Sequence, residues 1–102
     1  MKETVLDRLL RYVKIDTQSQ DDTEAYPSTA KQFDLLNMLV QELQDLGLKD
    51  AAIDNYGYVM ATLPSNVPQT NPAYGKVPVF GLIAHVDTSP STSGANVKPQ
   101  II

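Results

Sequence analysis

The sequence predicts an α/β domain, with helices laid against a mixed sheet. Three observations carry that prediction. Apolar residues recur at helical spacing over residues 4–15 and again over 28–46. Residues 51–63 read as two short strands about a turn, with period-two alternation over 58–63. Residues 77–84, "VPVFGLIA", form a near-continuous apolar run, the pattern of a strand covered on both faces.

The first helix is expected over 4–15. Thr4 followed by Asp7 has the spacing of a capping box, with Asp in place of the usual Glu or Gln. Val5, Leu6, Leu9, Leu10 and Val13 make a broad stripe that reads as core. Asp7 and Arg11 stand four apart on the other side and could pair. Residues 16–27, "DTQSQDDTEAYP", read as a solvated loop ended by proline. Its four carboxylates, Asp16, Asp21, Asp22 and Glu24, lack the turn glycine of a calcium loop.

A second, longer helix is expected over 28–46. Thr29 with Gln32 suggests its capping box, and Gly47 stands where a glycine would end it. Phe33, Leu36, Val40 and Leu43 share one face, widened by Leu35, Met38, Leu39 and Leu46. Asp54-Asn55-Tyr56-Gly57 supplies turn chemistry between two short strands. Three prolines between residues 64 and 76 mark a surface connection.

Composition narrows the function classes. Eight basic and twelve acidic residues give a net charge of −4, and the basic ones are scattered, so a nucleic-acid footprint is not expected. The chain has no cysteine, which removes disulfides, thiolate zinc sites and a thiol nucleophile together. No apolar run approaches a membrane span, and the charge-broken N-terminus lacks a signal-peptide core. A cytoplasmic protein is the default expectation. The final "NVKPQII" ends on two β-branched residues with no polar tail, which fits equally a chain that continues further and a frayed natural terminus.

The chemistry concentrates at "FGLIAHVDTSP". His85 is the only histidine, and it ends the apolar run. In an extended segment His85 and Asp87 project to the same side. Ligands of open α/β sheets bind beyond the carboxyl ends of the strands. A Ser89-His85-Asp87 triad is excluded because neighbours on one extended segment splay apart, and no nucleophile elbow is present. The glycines are too dispersed for a phosphate cradle. A metal site remains, but zinc needs about three protein ligands and an open position. On the residues alone, an incidental histidine and a metal or catalytic role both stay open.

The blocks "LLRYVKIDTQS", "YPSTAKQFDLLNMLVQELQDLGL", "DNYGYVMATLPSN" and "VPVFGLIAHVDTSPSTSGANVKPQII" resemble, in this order, the tripeptide aminopeptidases. These belong to the dinuclear zinc peptidase clan related to aminoacylase and carboxypeptidase. The resemblance runs nearly end to end but covers only the family's N-terminal quarter. It implies the N-terminal part of a three-layer α/β/α catalytic domain with a mixed, mostly parallel sheet. It implies that His85 is a zinc ligand and that Asp87 acts beside it in catalysis by orienting it. It further implies two zinc ions per active site and release of the N-terminal residue from tripeptides. A homodimer would form through a domain absent from this chain. The remaining ligands, the general base and the lid have no counterpart in these 102 residues, so the segment alone is expected to be inactive. A dipeptidase, carboxypeptidase or amino-acid deacylase of the same clan would share His85 and Asp87, and a non-catalytic binding module would keep the fold without the metal.

Overall fold

A computed structural model describes residues 2–102. Its regular elements are α1 (Val5–Tyr12), α2 (Gln32–Asp45), β1 (Ala52–Ile53) and β2 (Val59–Met60). The helices and the hairpin make an α/β mixture, and the hairpin is antiparallel with Ala52 opposite Met60 and Ile53 opposite Val59. One further pairing is parallel, an isolated bridge between Gln18 and Thr88.

The start of α1 follows from local chemistry. The Thr4 hydroxyl accepts from the Asp7 amide at 3.1 Å, and the Asp7 carboxylate accepts from the Thr4 amide at 3.0 Å. This is the reciprocal box the spacing predicts. The hydrogen bonds from Thr4 hold the Asp7 carboxyl below its ordinary range. The predicted stripe does not become core, because no residue of α1 is buried and Val5, Leu6 and Leu9 are exposed. Polar side chains dock the helix instead. Arg11 does not pair with Asp7; it bonds Glu3 at 2.7 Å and Glu42 on α2. Glu42 also accepts from Tyr12 and faces Arg8. Partial burial pushes the Glu42 carboxyl up, but the bonds from Tyr12 and Arg11 outweigh it and the group lies below its ordinary value.

The predicted second helix starts later than its pattern suggests. The Thr29–Gln32 capping box does not form: α2 begins after Lys31, which makes no side-chain cap. Its entry is a tight turn in which Gln32, Phe33 and Asp34 donate to carbonyls three residues back. The other end agrees with prediction. Gly47 adopts φ 98°, its amide donates to Gln44, and the Leu48 amide reaches back to Leu43. These two bonds make a Schellman motif, and the positive φ explains why glycine stands there.

The core lies between α2 and the hairpin. Leu35, Leu36 and Ala51 are the buried apolar residues, with buried Gln32 beside them. Phe33, Met38, Leu39, Val40 and Leu43 are half-buried, so the broad face is real, while Leu46 falls outside it and is exposed. Gln44 holds the hairpin entrance through the Ala51 carbonyl at 3.0 Å. The hairpin turn is built on Asp54, whose carboxylate accepts from Tyr56 and Tyr58 at 2.9 Å, and on Gly57 at φ 86°. Residues 64–76 form the irregular, exposed connection that their prolines predict.

The predicted buried strand at 77–84 is overturned within these residues. It forms no ladder, and Val79 and Ile83 are 102% and 98% exposed. A buried strand needs neighbours along its edges and cover on its faces. The hairpin's two-residue strands supply neither. The consequence shows in the whole molecule. The chain exposes 8545 Å², where a folded monomer of 11.2 kDa would expose about 5,700 Å². Its radius of gyration is 17.1 Å, against about 13 Å for a compact chain of this length.

Candidate functional site

The segment carrying His85 is held by the loop after α1. Residues 17–19 and 86–90 run side by side. The Thr88 amide donates to the Thr17 carbonyl at 3.1 Å, and the Ser19 amide donates to the Thr88 carbonyl at 2.9 Å. Side chains extend the pairing. The Thr17 hydroxyl donates to the Val86 carbonyl at 2.7 Å, the Ser19 hydroxyl to the Thr88 carbonyl at 2.7 Å, and the Gln18 amide group to the Pro90 carbonyl at 2.9 Å. Thr17 is only 3% exposed.

The loop is tied in turn to the start of α2. The Thr29 hydroxyl donates to the Gln18 carbonyl at 2.7 Å. Buried Gln32 donates to the Thr29 hydroxyl at 3.0 Å and to that of Ser28 at 3.2 Å. This explains the missing helix cap, because the hydroxyl that would cap α2 is turned toward the loop. Lys31 bonds Asp16 at 2.8 Å, and the Gln18 amide donates to the same carboxylate at 3.0 Å. Those two partners, Lys31 first, hold the Asp16 carboxyl below its ordinary range against a smaller opposing effect of burial. Residues 16–19 are therefore an anchored strap, not the solvated loop their polarity predicts. Asp21, Asp22 and Glu24 are the exposed part of that segment.

The downstream chain folds back over the same strap. Gly94 is buried, and a Cβ placed there would lie 2.6 Å from an Asp16 carboxylate oxygen and 3.1 Å from the Thr88 hydroxyl. The loop between them is closed by Ser89 and Ser91, whose hydroxyls stand 2.7 Å apart.

At the centre is the His85–Asp87 pair. The His85 Nδ1 lies 2.8 Å from an Asp87 carboxylate oxygen and 3.0 Å from the Asp87 carbonyl. Both partners accept, so Nδ1 of the neutral ring carries the proton and Nε2 carries the lone pair. The His85 side chain is 84% exposed, which leaves Nε2 open to an outside partner. A carboxylate fixing one ring nitrogen while the other stays free is the arrangement of a metal-ligating histidine. The two residues singled out by spacing thus meet as expected. Among the described residues, no group of three His, Asp or Glu side chains converges as a metal would require. One imidazole and its supporting carboxylate fit one ligand position and no more. The strap residues Thr17 and Ser19 were not legible as part of this site, since a threonine or serine in a polar loop carries no spacing signal, and Gln32 was read as a capping residue of α2 rather than as an anchor of the strap.

No protein-family model matches the chain. Individual proteins do. Over all 102 residues it is 55% identical to Peptidase T of Staphylococcus carnosus and 52% identical to Peptidase T of Bacillus subtilis. Over 98 residues it is 52% identical to Peptidase T of Halothermothrix orenii. The chain spans about a quarter of these relatives, 23% of the two former and 22% of the last.

Proposed function

Because this chain resembles peptidase T from end to end, we propose that it is part of a zinc-dependent aminopeptidase that releases the N-terminal residue from tripeptides. The observation that carries this reading is the His85 ring, oriented through Nδ1 by Asp87 and free at Nε2. His85 is the metal ligand, and Asp87 is the group that fixes its tautomer. The other ligands and the general base come from polypeptide outside these 102 residues. The surface left bare supports the same view. An interior strand at 77–84 in a three-layer α/β/α domain with a mostly parallel sheet would cover the apolar run that stands exposed here.

His85 would hold one of two zinc ions together with ligands from outside this chain, and the metal would supply Lewis-acid chemistry for a peptide carbonyl and a water molecule. The chain's own residues do something simpler. His85 offers a neutral nitrogen, so protons compete with the metal for it. Asp87 keeps the ring turned so that this nitrogen faces outward. The reading places the protein in the cytoplasm, gives it short peptides as partners, and assigns dimer formation to a region outside this chain. The 102 residues alone have too few ligands to turn over substrate.

The test uses the longer protein that contains this segment. A chelator abolishes tripeptide hydrolysis, and zinc restores it. His85→Ala removes activity, and Asp87→Ala lowers metal affinity or rate by about 10–100-fold. Full tripeptidase activity after His85→Ala overturns the assignment. Faster turnover of dipeptides or N-acyl amino acids than of tripeptides overturns the substrate class.

A further inference from the structure

We propose that Thr17 is a positioning residue whose buried hydroxyl holds the Val86 carbonyl and so fixes the tautomer and direction of the His85–Asp87 pair. The inference rests on the reading of His85 as a metal ligand, and it adds a residue to that site. Two planar peptide units flank the Asp87 Cα, one between Val86 and Asp87 and one between Asp87 and Thr88. Thr17 grips both. Its hydroxyl donates to the carbonyl of the first at 2.7 Å, and its carbonyl accepts the amide of the second at 3.1 Å. With both units pinned, the backbone angles at Asp87 are set.

Those angles decide what Nδ1 of His85 meets. It faces two acceptors that both belong to Asp87, the carboxylate at 2.8 Å and the main-chain carbonyl at 3.0 Å. That carbonyl is part of the second pinned unit. A rotation at Asp87 would withdraw both acceptors at once, and among the described residues nothing else bonds the ring. His85 is itself exposed, so packing cannot orient it. Thr17, 3% exposed, is the rigid end of the arrangement. A buried hydroxyl without a partner is costly, which favours the bond to Val86 over rotation away from it. The strap behind Thr17 is anchored on α2 through Thr29 and Lys31. On its other side Gly94 lies against Asp16, where a Cβ would meet the carboxylate at 2.6 Å.

The test reads the ring directly, in the metal-free form of the longer protein that contains this segment. The two-bond 1H–15N signals of the His85 ring are identified as those lost in His85→Gln. At about pH 8.5, where imidazole is neutral, the unaltered chain shows the Nδ1-protonated form in excess. Thr17→Val keeps the shape and removes the donor; the ratio falls severalfold toward that of a free imidazole. Thr17→Ser keeps the donor and restores the ratio. The amide exchange of Thr88 and Ser19 reports in the same samples whether the strap pairing persists. Gly94→Ala loosens the strap from its opposite face and shifts the ratio the same way, and it decides the matter if Thr17→Val does not fold. An unchanged ratio in Thr17→Val, or a Thr17→Ser ratio no better than that of Thr17→Val, overturns the proposal. So does an unaltered chain without tautomer preference. None of these readouts involves hydrolysis, so the failure of this inference is distinct from the failure of the peptidase reading.

Discussion

Gly57→Ala tests whether the hairpin is seated on α2 as described. Two penalties fall on this one methyl. Gly57 lies at φ 86°, where an L-residue carries a backbone cost of roughly 1–2 kcal/mol. The new Cβ would also sit 3.2 Å from a Leu36 methyl and 3.3 Å from the Pro27 ring. Leu36 is one of three buried apolar residues among those described, so it has little room to yield, and overpacking of that kind costs about 1–3 kcal/mol. Together the substitution should destabilise the fold by about 2–5 kcal/mol. Gly47→Ala is the matched control. Gly47 has φ 98°, but nothing lies within 4 Å of its Cβ position, so only the backbone cost applies. Urea unfolding of the two variants, with the midpoint compared at constant slope, isolates the steric difference. The reasoning fails if Gly57→Ala is no less stable than Gly47→Ala, since α2 and the turn would then not be in contact.

Two further outcomes follow from the charges. Glu42 is the shared acceptor for Tyr12 and Arg11 and lies beside Arg8, while α1 buries no side chain of its own. Glu42→Gln should therefore release α1 selectively, at about 1–3 kcal/mol for the lost charged hydrogen bonds, seen as faster amide exchange in residues 5–12 with α2 protection retained; equal loosening of both helices would contradict this. Acid should act on the strap and on α1 together. The Asp16 and Glu42 carboxyls lie below their ordinary values in the folded chain, so the unfolded chain binds more protons in the acid range. Their contribution is whole above the ordinary carboxylate range, about pH 4, and is lost as pH falls through the lowered folded values. A chain whose stability rises on acidification below that range would refute the two pairings.

Sequence reasoning succeeded where the deciding partners are a few residues apart. Thr4 with Asp7, Gly47 after α2, and Asp54 with Gly57 are local devices, and each forms as its spacing predicts. The His85–Asp87 pair is local too, and the two side chains meet. Failure came where a distant partner outcompetes the local one. Thr29 would cap α2, but its hydroxyl is taken by Gln18, eleven residues away. Arg11 would pair with Asp7, but the capping box already occupies that carboxylate, and Glu42 and Glu3 are available. The strap at 16–19 looked like solvent-facing loop because its partners stand about seventy residues later, as the Thr17–Val86 and Ser19–Thr88 bonds show. The apolar stripe of α1 and the run at 77–84 were misjudged for a different reason. Apolar spacing says which surface seeks cover, and it is silent about whether the cover lies in the same 102 residues.

Bare apolar residues from Val79 to Ile83 end two positions before His85. Chaperones and proteases triage chains by exposed surface of this kind. The His85 ring and that bare stretch therefore sit on one short piece of backbone. Any surface that covers that stretch would come within two residues of the imidazole along the chain, so shielding the apolar run and bounding the space around the ring are linked by sequence alone.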